Sequence, residues 1–349
     1  MLNISQTLLR KECDIISTWD DKNNIKVSIL CATFNQDSYI EDAIKGFLLQ
    51  ETTFAYEIIV HDDASSDNTP HIIKKYQALY PNIIKPIIQT ENQFSKGNFK
   101  PSAYMAKLAN GLYSCLCEGD DYWIDKNKLE SQFKALENNK NINLCVHDAF
   151  TINQKDGTLS NKFPKRKNRE YIIPFKKIFT TSGQFSPTAS MMIRTNVIQN
   201  LPAFFMTAPV GDFFLEVIAG RNGIYYLPQK MSVYRNETVG SWSIQVLKKA
   251  KNRIEMYKAY LSSLNELKTY LTEQEAIFVK YKIQMIYNRL AIAYLSVNDR
   301  KLALKYYIYS FRGQFRTKDN IIFIAEFLGF DHIFRVKLKK LLQSLRVSR

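Results

Sequence analysis

Three carboxylates stand close together in the segment Cys117–Trp123 (CEGDDYW), namely Glu118, Asp120 and Asp121. They directly follow the apolar run LYSCLC, which is typical of a buried strand. Carboxylates grouped in this way repel one another unless a positive charge lies among them. A divalent cation with an anionic substrate would supply that charge, because Mg²⁺ is typically held by one or two carboxylates and phosphate oxygens. An isolated acidic pair would favour a solvated turn instead, but the preceding strand, the flanking aromatics and a second acidic cluster favour a cation site.

Polar side chains also follow two earlier predicted strands. Strands are predicted at 25–32 and 57–60, each followed by a polar turn and then by a helix-like stretch. Two successive strand–turn–helix units predict a parallel sheet with right-handed crossovers. In open sheets of this kind, ligands bind beyond the carboxyl ends of the strands. The side chains that fall at these ends are those of Thr33, Asn35, Asp62, Asp63, Asp120 and Asp121.

The sequence around these residues resembles the inverting glycosyltransferases of family 2, which have the GT-A fold. The blocks VSILCATFNQ, EIIVHDDASSDNT and ANGLYSCLCEGDDYW resemble the nucleotide-sugar-binding half of such enzymes. Further matching blocks follow in the expected order, namely KLESQFKALE, NLCVHDAF, SPTASMMIR, VGDFFLEVIAGRNGIYYLPQKMSVYR and GSWS. The resemblance covers roughly residues 25–243. It implies an α/β chain with a Rossmann-like, mostly parallel sheet.

The carboxyl ends of the parallel strands form one rim of the predicted sheet. The resemblance assigns the part of this rim at the first two strands to binding of the nucleotide-sugar donor. The turn that holds Thr33 and Asn35 would lie against the uridine. Asp63 would accept a hydrogen bond from the uracil ring, and Asp62 belongs to the same nucleotide-sugar site. These expectations make the donor a UDP-sugar.

The resemblance also implies a separate role for each carboxylate of the acidic segment. Asp120 would face the ribose or the sugar, and Asp121 would hold Mg²⁺ or Mn²⁺ on the diphosphate. Glu118, where many relatives have Asp, is the second candidate metal ligand. No protein nucleophile is needed, because an inverting enzyme displaces the diphosphate directly and requires one general base.

The candidate base is Asp212, a lone acid between Gly211 and two aromatics at the start of a helix-like stretch. The resemblance places the catalytic Asp of the family here. Asp212 also has the residue type of an N-cap, and we expect both roles to coexist because a cap would fix the direction of the carboxylate. Glu216, one helical turn further on, is the second candidate.

Arg235 and Trp242 complete the predicted site. In similar enzymes the corresponding segment closes over the donor diphosphate, with the Arg in contact with phosphate and the Trp excluding water. The alternative for Trp242 is an anchor that packs the next helix against the core.

Composition and charge indicate the cellular compartment and the kind of surface that the protein contacts. The five cysteines are odd in number and four lie in apolar strands, which indicates a reduced compartment. The segment 2–14 is polar and charged, so no signal peptide is predicted, and no apolar run of membrane-spanning length occurs. The net charge is +15, of which residues from 244 onward contribute +13 through 21 Lys and Arg against 8 Asp and Glu. A basic tail beside a nearly neutral catalytic half argues against a nucleic-acid enzyme and favours contact with an anionic surface.

The tail is helical by pattern. The stretches 283–294 and 301–311 predict a helical hairpin joined at 296–299, which resembles one tetratricopeptide-like unit and is more simply a hairpin packed on its neighbours. The segment 332–349 predicts a basic amphipathic helix in a membrane interface, with a solvated surface helix as the alternative. A further basic run, Lys162–Arg169, is either a solvated loop or an anion contact, and the sequence leaves both open.

The sequence therefore predicts a GT-A catalytic domain at 25–243, preceded by an extension at 1–24 and followed by a basic helical region at 244–349. The predicted protein is a peripheral, cytoplasmic-face glycosyltransferase that uses a UDP-sugar. Its acceptor would be a growing surface glycan, such as a lipid-linked one. A nucleotidyltransferase of related fold is disfavoured because 33–38 contains no glycine or basic residue. A non-catalytic scaffold acting through its tail is disfavoured by the intact carboxylate set.

Overall fold

Strand β1 (Ile25–Thr33) lies inside a mixed sheet in the computed structural model. It pairs in parallel with β2 (Ala55–Asp62) on one side and with β4 (Tyr113–Glu118) on the other, and β3 (Ile84–Ile88) pairs in parallel with β2. The structure describes residues 4, 8–160, 162–181, 184–238, 249–310 and 327. Burial along β1, β2 and β4 is nearly continuous, as expected for parallel strands covered on both faces.

The register of these strands places the carboxyl ends on one rim. Thr33 at the end of β1 lies opposite Asp62 of β2, and Ala32 lies opposite Glu118 of β4. The acidic residues that follow β2 and β4 are thereby brought to the same edge of the sheet. The predicted α/β class with a parallel nucleotide half is confirmed.

The remaining strands extend the sheet beyond β4. The sheet order is β3-β2-β1-β4-β9-β6-β10-β5, with β7 beside β6 and β8 beside β10. The bounds of these strands are β5 Tyr122–Trp123, β6 Leu144–Asn153, β7 Leu159–Ser160, β8 Tyr171–Ile173, β9 Met192–Arg194 and β10 Ile224–Asn236. Strand β10 runs parallel to β6, whereas β5 runs antiparallel to β10, so β10 passes directly beside the strand that follows the acidic segment.

Helices cover the sheet and carry the crossovers. The two helices predicted after the first two strands are α2 (Ile40–Leu48) and α3 (Thr69–Leu79), which are slightly shorter than the patterns suggested. The other helices of this part of the chain are α1 Glu12–Ile16, α4 Pro101–Leu108, α5 Lys128–Asn138, α6 Thr195–Gln199, α7 Phe204–Thr207 and α8 Gly211–Ala219.

Part of the segment predicted as an N-terminal extension packs on the sheet. Glu12 accepts hydrogen bonds from the backbone N–H groups of Asn82 (2.7 Å) and Ile83 (3.1 Å). The Arg10 guanidinium donates to the carbonyl of Gln50, and Ile15 lies in the hydrophobic core. Ile15, together with Leu9, Ile16 and Trp19 packed against the same core, therefore joins this segment to the core of the catalytic half.

The chain divides into two compact units, Met1–Ser241 and Trp242–Arg349. The described part of the second unit consists of α9 (Ala250–Tyr270), α10 (Glu273–Leu295) and α11 (Arg300–Ser310). Helix α10 begins ten residues before the predicted hairpin helix, because Thr272 and Glu275 form a capping box there. No helix among the described residues is both long and apolar enough to cross a bilayer. The predicted amphipathic helix at 332–349 lies outside the described residues.

Candidate active site

The turns after β1 and β2 are tied together by hydrogen bonds. The N–H of Asn35 donates to Oγ of Ser65 at 2.8 Å, and the N–H of Ser66 donates to Oδ1 of Asn35 at 2.8 Å. Asn35 has a φ of 51°, in the left-handed region that asparagine tolerates better than most residues. The hydroxyl of Thr33 donates to Oε1 of Gln36 at 2.8 Å. The structure thus places Thr33 and Asn35 on the rim and uses the Asn35 side chain to fix the neighbouring turn.

Asp62 and Asp63 both accept hydrogen bonds from backbone amides. Asp62 accepts from the N–H of Ser65 at 3.2 Å and from the Ser65 hydroxyl, which closes a local turn. Burial raises the pKa of Asp62 above its ordinary value, although the bonds from Ser65 oppose the shift. Asp63 accepts from the N–H groups of Gln93 (2.8 Å) and Phe94 (3.0 Å), one at each oxygen. Each carboxylate oxygen has a further lone pair, so Asp63 retains the capacity to accept a bond from a base.

The acidic turn between β4 and β5 lies against the end of β1. A Cβ atom on Gly119 would come within 2.8 Å of the Thr33 side chain, so this close approach requires glycine. Next in the turn, Oδ2 of Asp120 accepts a hydrogen bond from the hydroxyl of Thr238 at 2.8 Å. The turn is therefore held from both sides, by β1 and by the segment that follows β10.

Asp121 is the most deeply buried carboxylate of the turn and is only 1% exposed. Its Oδ1 accepts from the backbone N–H of Arg235 at 2.8 Å, whereas its Oδ2 is buried and has no hydrogen-bond partner. A buried carboxylate oxygen without a donor is costly, and a hard cation would satisfy it. Asp121 therefore fits the chemistry of a ligand for Mg²⁺ or Mn²⁺.

The protein side of such a metal site is small. In the described ranges, no group of three or more His, Cys, Asp or Glu side chains could hold a metal ion. One or two carboxylates fit a cation whose remaining ligands are phosphate oxygens and water. Glu118, the second candidate ligand, lies on the accessible side of the turn, whereas Asp121 lies underneath.

The pKa of Glu118 is affected by the three other carboxylates of the rim. Its side chain reaches solvent, yet it lies among enough protein atoms that its charged form is poorly solvated. This desolvation, followed by repulsion from Asp212, Asp120 and Asp121, raises the pKa of Glu118 well above its ordinary value. The pKa of Asp121 is likewise raised well above its ordinary value by burial and by Asp120, against the opposing effect of Arg235. The repulsion between Glu118 and Asp212 indicates that the candidate base lies near the acidic turn.

Asp212 lies in the first turn of α8 but does not cap it. The N-cap position belongs to Val210, which has no capping side chain, and Asp212 is the second residue of the helix. The prediction that Asp212 would be the N-cap is therefore wrong, because the helix begins one residue before it. The first-turn position still places the carboxylate near the positive end of the helix dipole. Burial raises the pKa of Asp212, and the ammonium groups of Lys162 and Lys100 oppose that shift.

Glu216, the second candidate base, points into the protein interior. It is fully buried, and its Oε1 accepts from the N–H of Ser186 at 2.6 Å. A longer contact of 3.4 Å joins its Oε2 to the N–H of Phe185. These bonds give Glu216 a structural place beneath the rim.

Arg235 is held within the protein and is 8% exposed. Its guanidinium pairs with the carboxylate of Asp42 in α2 and donates to the backbone carbonyl of Asp120 at 2.9 Å. The group also lies 4.2 Å from the ring centroid of Tyr122. In this structure Arg235 braces the acidic turn, and the predicted contact with a diphosphate would require these bonds to be shared. Trp242, predicted as a lid, lies outside the described residues.

Two lysines near the carboxylates were not assigned from the sequence. Burial lowers the pKa of the Lys162 ammonium, and the nearby carboxylates oppose that shift, in the decreasing order Asp121, Glu118, Asp212 and Asp120. Burial also lowers the pKa of Lys100, at the start of α4, and Asp212 opposes that shift. Lys162 belongs to the basic run whose role the sequence left open. Its place beside the turn depends on folding across more than forty residues, which no local pattern reveals.

The fold is of the GT-A type, and the candidate carboxylates lie at the carboxyl edge of its parallel strands, where open α/β sheets bind their ligands. Residues 28–200 match the sequence profile described as Glycosyl transferase family 2. The chain belongs to glycosyltransferase family 2 through this domain.

Comparisons with known proteins agree with this assignment. An uncharacterized protein of Mycobacterium tuberculosis is 36% identical over 218 residues, which cover 62% of this chain and 60% of the relative. An Escherichia coli UDP-Glc:alpha-D-GlcNAc-diphosphoundecaprenol beta-1,3-glucosyltransferase is 32% identical over 114 residues, covering 33% of this chain and 42% of that protein. The chain therefore spans less than two thirds of the length of these relatives, 60% of one and 42% of the other.

Solved structures confirm the GT-A fold. Residues 1–349 of Staphylococcus aureus TarS, in complex with UDP, superpose with a TM-score of 0.52 at 16% identity, covering 84% of this chain and 93% of that one. The mannosyltransferase PcManGT of Pyrobaculum calidifontis, in complex with GDP-Man and Mn²⁺, gives a TM-score of 0.54 at 14% identity, covering 92% and 86%. Similarity at this level of identity concerns the fold alone.

Proposed function

We propose that this protein transfers a sugar, with inversion, from a nucleotide-diphosphate donor to a hydroxyl group of a cell-surface glycan. The donor is a UDP-sugar. The observation that supports the proposal is that Asp212 lies near Glu118 of the acidic turn, where after burial its charge contributes most to raising the pKa of Glu118. A site of this kind has a base on one side and a place for a diphosphate on the other.

Asp212 is the residue that removes the proton from the acceptor hydroxyl. A general base works best when its pKa lies near the working pH, and burial raises the pKa of Asp212 from the ordinary range of an aspartate. The acceptor oxygen then forms a bond to the anomeric carbon as the bond to the diphosphate breaks. The proton goes to Asp212, and the electron pair of the broken bond stays with the diphosphate.

The other rim residues bind and orient the donor. Asp121 and Glu118 would hold the divalent cation, and Asp120 would face the ribose or the sugar. Thr33, Asn35, Asp62 and Asp63 line the side assigned to the nucleoside, and Arg235 and Trp242 are assigned to the diphosphate side. Bound at Asp121, Mg²⁺ or Mn²⁺ would act as a Lewis acid that stabilises the charge on the departing diphosphate.

The acceptor is a lipid-linked or surface glycan, and the protein acts as a peripheral enzyme at the cytoplasmic face of the membrane. The name of the Escherichia coli relative describes a glucosyltransferase that acts on a diphosphoundecaprenol-linked sugar. The residues from 244 onward, with 21 Lys and Arg against 8 Asp and Glu, suit an anionic membrane surface.

The proposal is tested by incubating the purified protein with separate nucleotide sugars and Mn²⁺ and measuring the release of nucleoside diphosphate. We expect slow metal-dependent hydrolysis of one donor and none in EDTA. Asp212→Asn should reduce this turnover while still binding the donor. Failure of every donor to bind or to be hydrolysed would overturn the proposal.

A further inference from the structure

In the part of the chain that the structure describes, few positive charges at the carboxylate rim are available to an anionic ligand. Four carboxylates lie near one another there, those of Glu118, Asp120, Asp121 and Asp212. A nucleotide diphosphate would add further negative charge. A second positive group near the phosphates would offset part of this charge.

Among the described residues, three basic side chains act on these carboxylates, and two of them already bind other acceptors in the protein. The Arg235 guanidinium pairs with Asp42 and donates to the carbonyl of Asp120. The Lys100 ammonium donates to the carbonyl of Ala208. Both groups add positive electrostatic potential at the rim, but their hydrogen bonds are made to other parts of the protein.

Lys162 is held differently. Its ammonium donates to the hydroxyl of Tyr234 and lies 3.7 Å from the centroid of the Tyr234 ring. Tyr234 is in β10, next to Arg235, whose backbone N–H binds Asp121. The aromatic ring and hydroxyl thus support the ammonium beside the acidic turn. The residue remains accessible to solvent, so a ligand can reach it.

We propose that Lys162 is a donor-binding residue whose ammonium contacts the diphosphate of the nucleotide sugar. This inference rests on the proposed function and adds a residue to it. Tyr234 orients the ammonium, and the carboxylates of the rim favour its charged form against the opposing effect of burial. When the glycosidic bond breaks, the electron pair remains on the diphosphate, and Lys162 stabilises that added charge.

Binding experiments test the role of Lys162 without the need for turnover. Inorganic pyrophosphate and UDP, each with Mn²⁺, are titrated calorimetrically into the wild type, Lys162→Met, Lys162→Arg and the control Lys165→Met. Lys165 is an exposed member of the same basic run, so it controls for general attraction of anions. We expect Lys162→Met to weaken both probes by about ten- to a hundred-fold, the range of a charge-assisted hydrogen bond. Lys162→Arg should retain most of the affinity, and Lys165→Met should differ from wild type by less than about two-fold.

The outcomes separate this inference from the proposed function. Wild-type protein that binds neither probe overturns both. Equal affinity of the wild type and Lys162→Met for both probes would overturn the role of Lys162 alone. A lowered melting temperature of Lys162→Met without loss of affinity would show that Lys162 is a structural counter-ion. If Lys162→Met does not fold, Tyr234→Phe takes its place, since it removes the orienting hydroxyl and keeps the charge. We expect weaker pyrophosphate binding in Tyr234→Phe, and unchanged affinity there would overturn the inference.

Discussion

The backbone N–H of Arg235 donates a 2.8 Å hydrogen bond to Oδ1 of Asp121, although 114 positions separate the two residues in sequence. The side chain of the same arginine reaches Asp42 in α2. Strand β10 therefore fixes the orientation of the Asp121 carboxylate and leaves its Oδ2 as the atom without a hydrogen-bond partner. The geometry of the proposed metal ligand depends on a strand far along the chain.

The first prediction concerns this brace. Asp42→Asn and Arg235→Met should each lower the free energy of unfolding, because each leaves the other side chain without its ionic partner. In a double-mutant cycle measured by urea denaturation, we expect a coupling energy of about 0.5–3 kcal/mol between the two positions. Asp37→Asn, a nearby change that spares this pair, should show no coupling with Arg235→Met. Additive effects of Asp42→Asn and Arg235→Met would mean that the pair does not brace the turn.

The second prediction concerns the metal. Asp121→Asn retains an oxygen for the N–H of Arg235 but loses the charge that attracts a cation. Mn²⁺ together with UDP should stabilise the wild type by about 2.7 kcal/mol at a hundred times the dissociation constant, and this gain should disappear in the variant. Thermal unfolding with and without EDTA measures it. An unchanged metal-dependent shift in Asp121→Asn would exclude Asp121 as the ligand.

The third prediction concerns the base. Asp212→Asn should lower turnover by about 10²- to 10⁴-fold, the usual contribution of general-base catalysis, and should spare donor binding. Glu216→Gln is the comparison variant, and its effect should fall on stability because Glu216 accepts backbone N–H bonds beneath the rim. Equal losses of binding and turnover in Asp212→Asn would indicate a donor ligand instead of a base.

The pH dependence of turnover follows from the same carboxyl group. Burial raises the pKa of Asp212 above the ordinary aspartate value, and only the deprotonated form can accept a proton. Turnover should therefore rise with pH through the raised pKa and be lost below it. We expect the wild type to show this acidic limb in kcat/KM and Asp212→Asn to lack it.

The sequence was sufficient to locate the rim and insufficient to show how it is braced. Strand patterns and the acidic motifs placed Thr33, Asp62 and Glu118 at the carboxyl edge, because parallel strands must align those ends. The pairing of Arg235 with Asp42 could not be foreseen, since 193 positions separate the two residues. Lys162 escaped assignment for the same reason. The prediction that Asp212 caps its helix was wrong because the start of a helix is uncertain by one or two residues when no capping side chain marks it.

The fourth prediction concerns the basic tail. Removing 332–349 should release the protein from vesicles rich in anionic lipid, because this segment contributes six Lys and Arg, each worth about 1 kcal/mol near such a surface. Hydrolysis of a soluble donor should be nearly unchanged, since the proposed catalytic residues precede position 243. Binding of the full chain should weaken as salt rises. Co-sedimentation of the truncated protein with vesicles would show that the anchor lies elsewhere.

The fifth prediction concerns Glu57, a buried carboxylate in β2 that joins three parts of the chain. It accepts from the hydroxyl of Ser28 at 2.6 Å and from the N–H of Asn110 at 2.7 Å, and it pairs with Lys85. Burial alone would raise the pKa of Glu57, but the bonds from Lys85, Ser28 and Asn110 outweigh it and lower the pKa. The charged form is therefore stabilised by folding.

A lowered folded-state pKa fixes the sign of the pH effect. The stabilisation by Glu57 is fully present above the unfolded pKa of about 4.3 and is lost as the pH falls through the lower folded value. At neutral pH, Glu57→Gln should lower the free energy of unfolding by about 1–3 kcal/mol through its lost charge-assisted bonds. The difference from wild type should shrink in acid. Urea denaturation from pH 7 to pH 3 measures it, with Glu51→Gln, at an exposed ion pair with Lys126, as the control. A difference that stays constant across this range would show that the Glu57 charge does not contribute to stability.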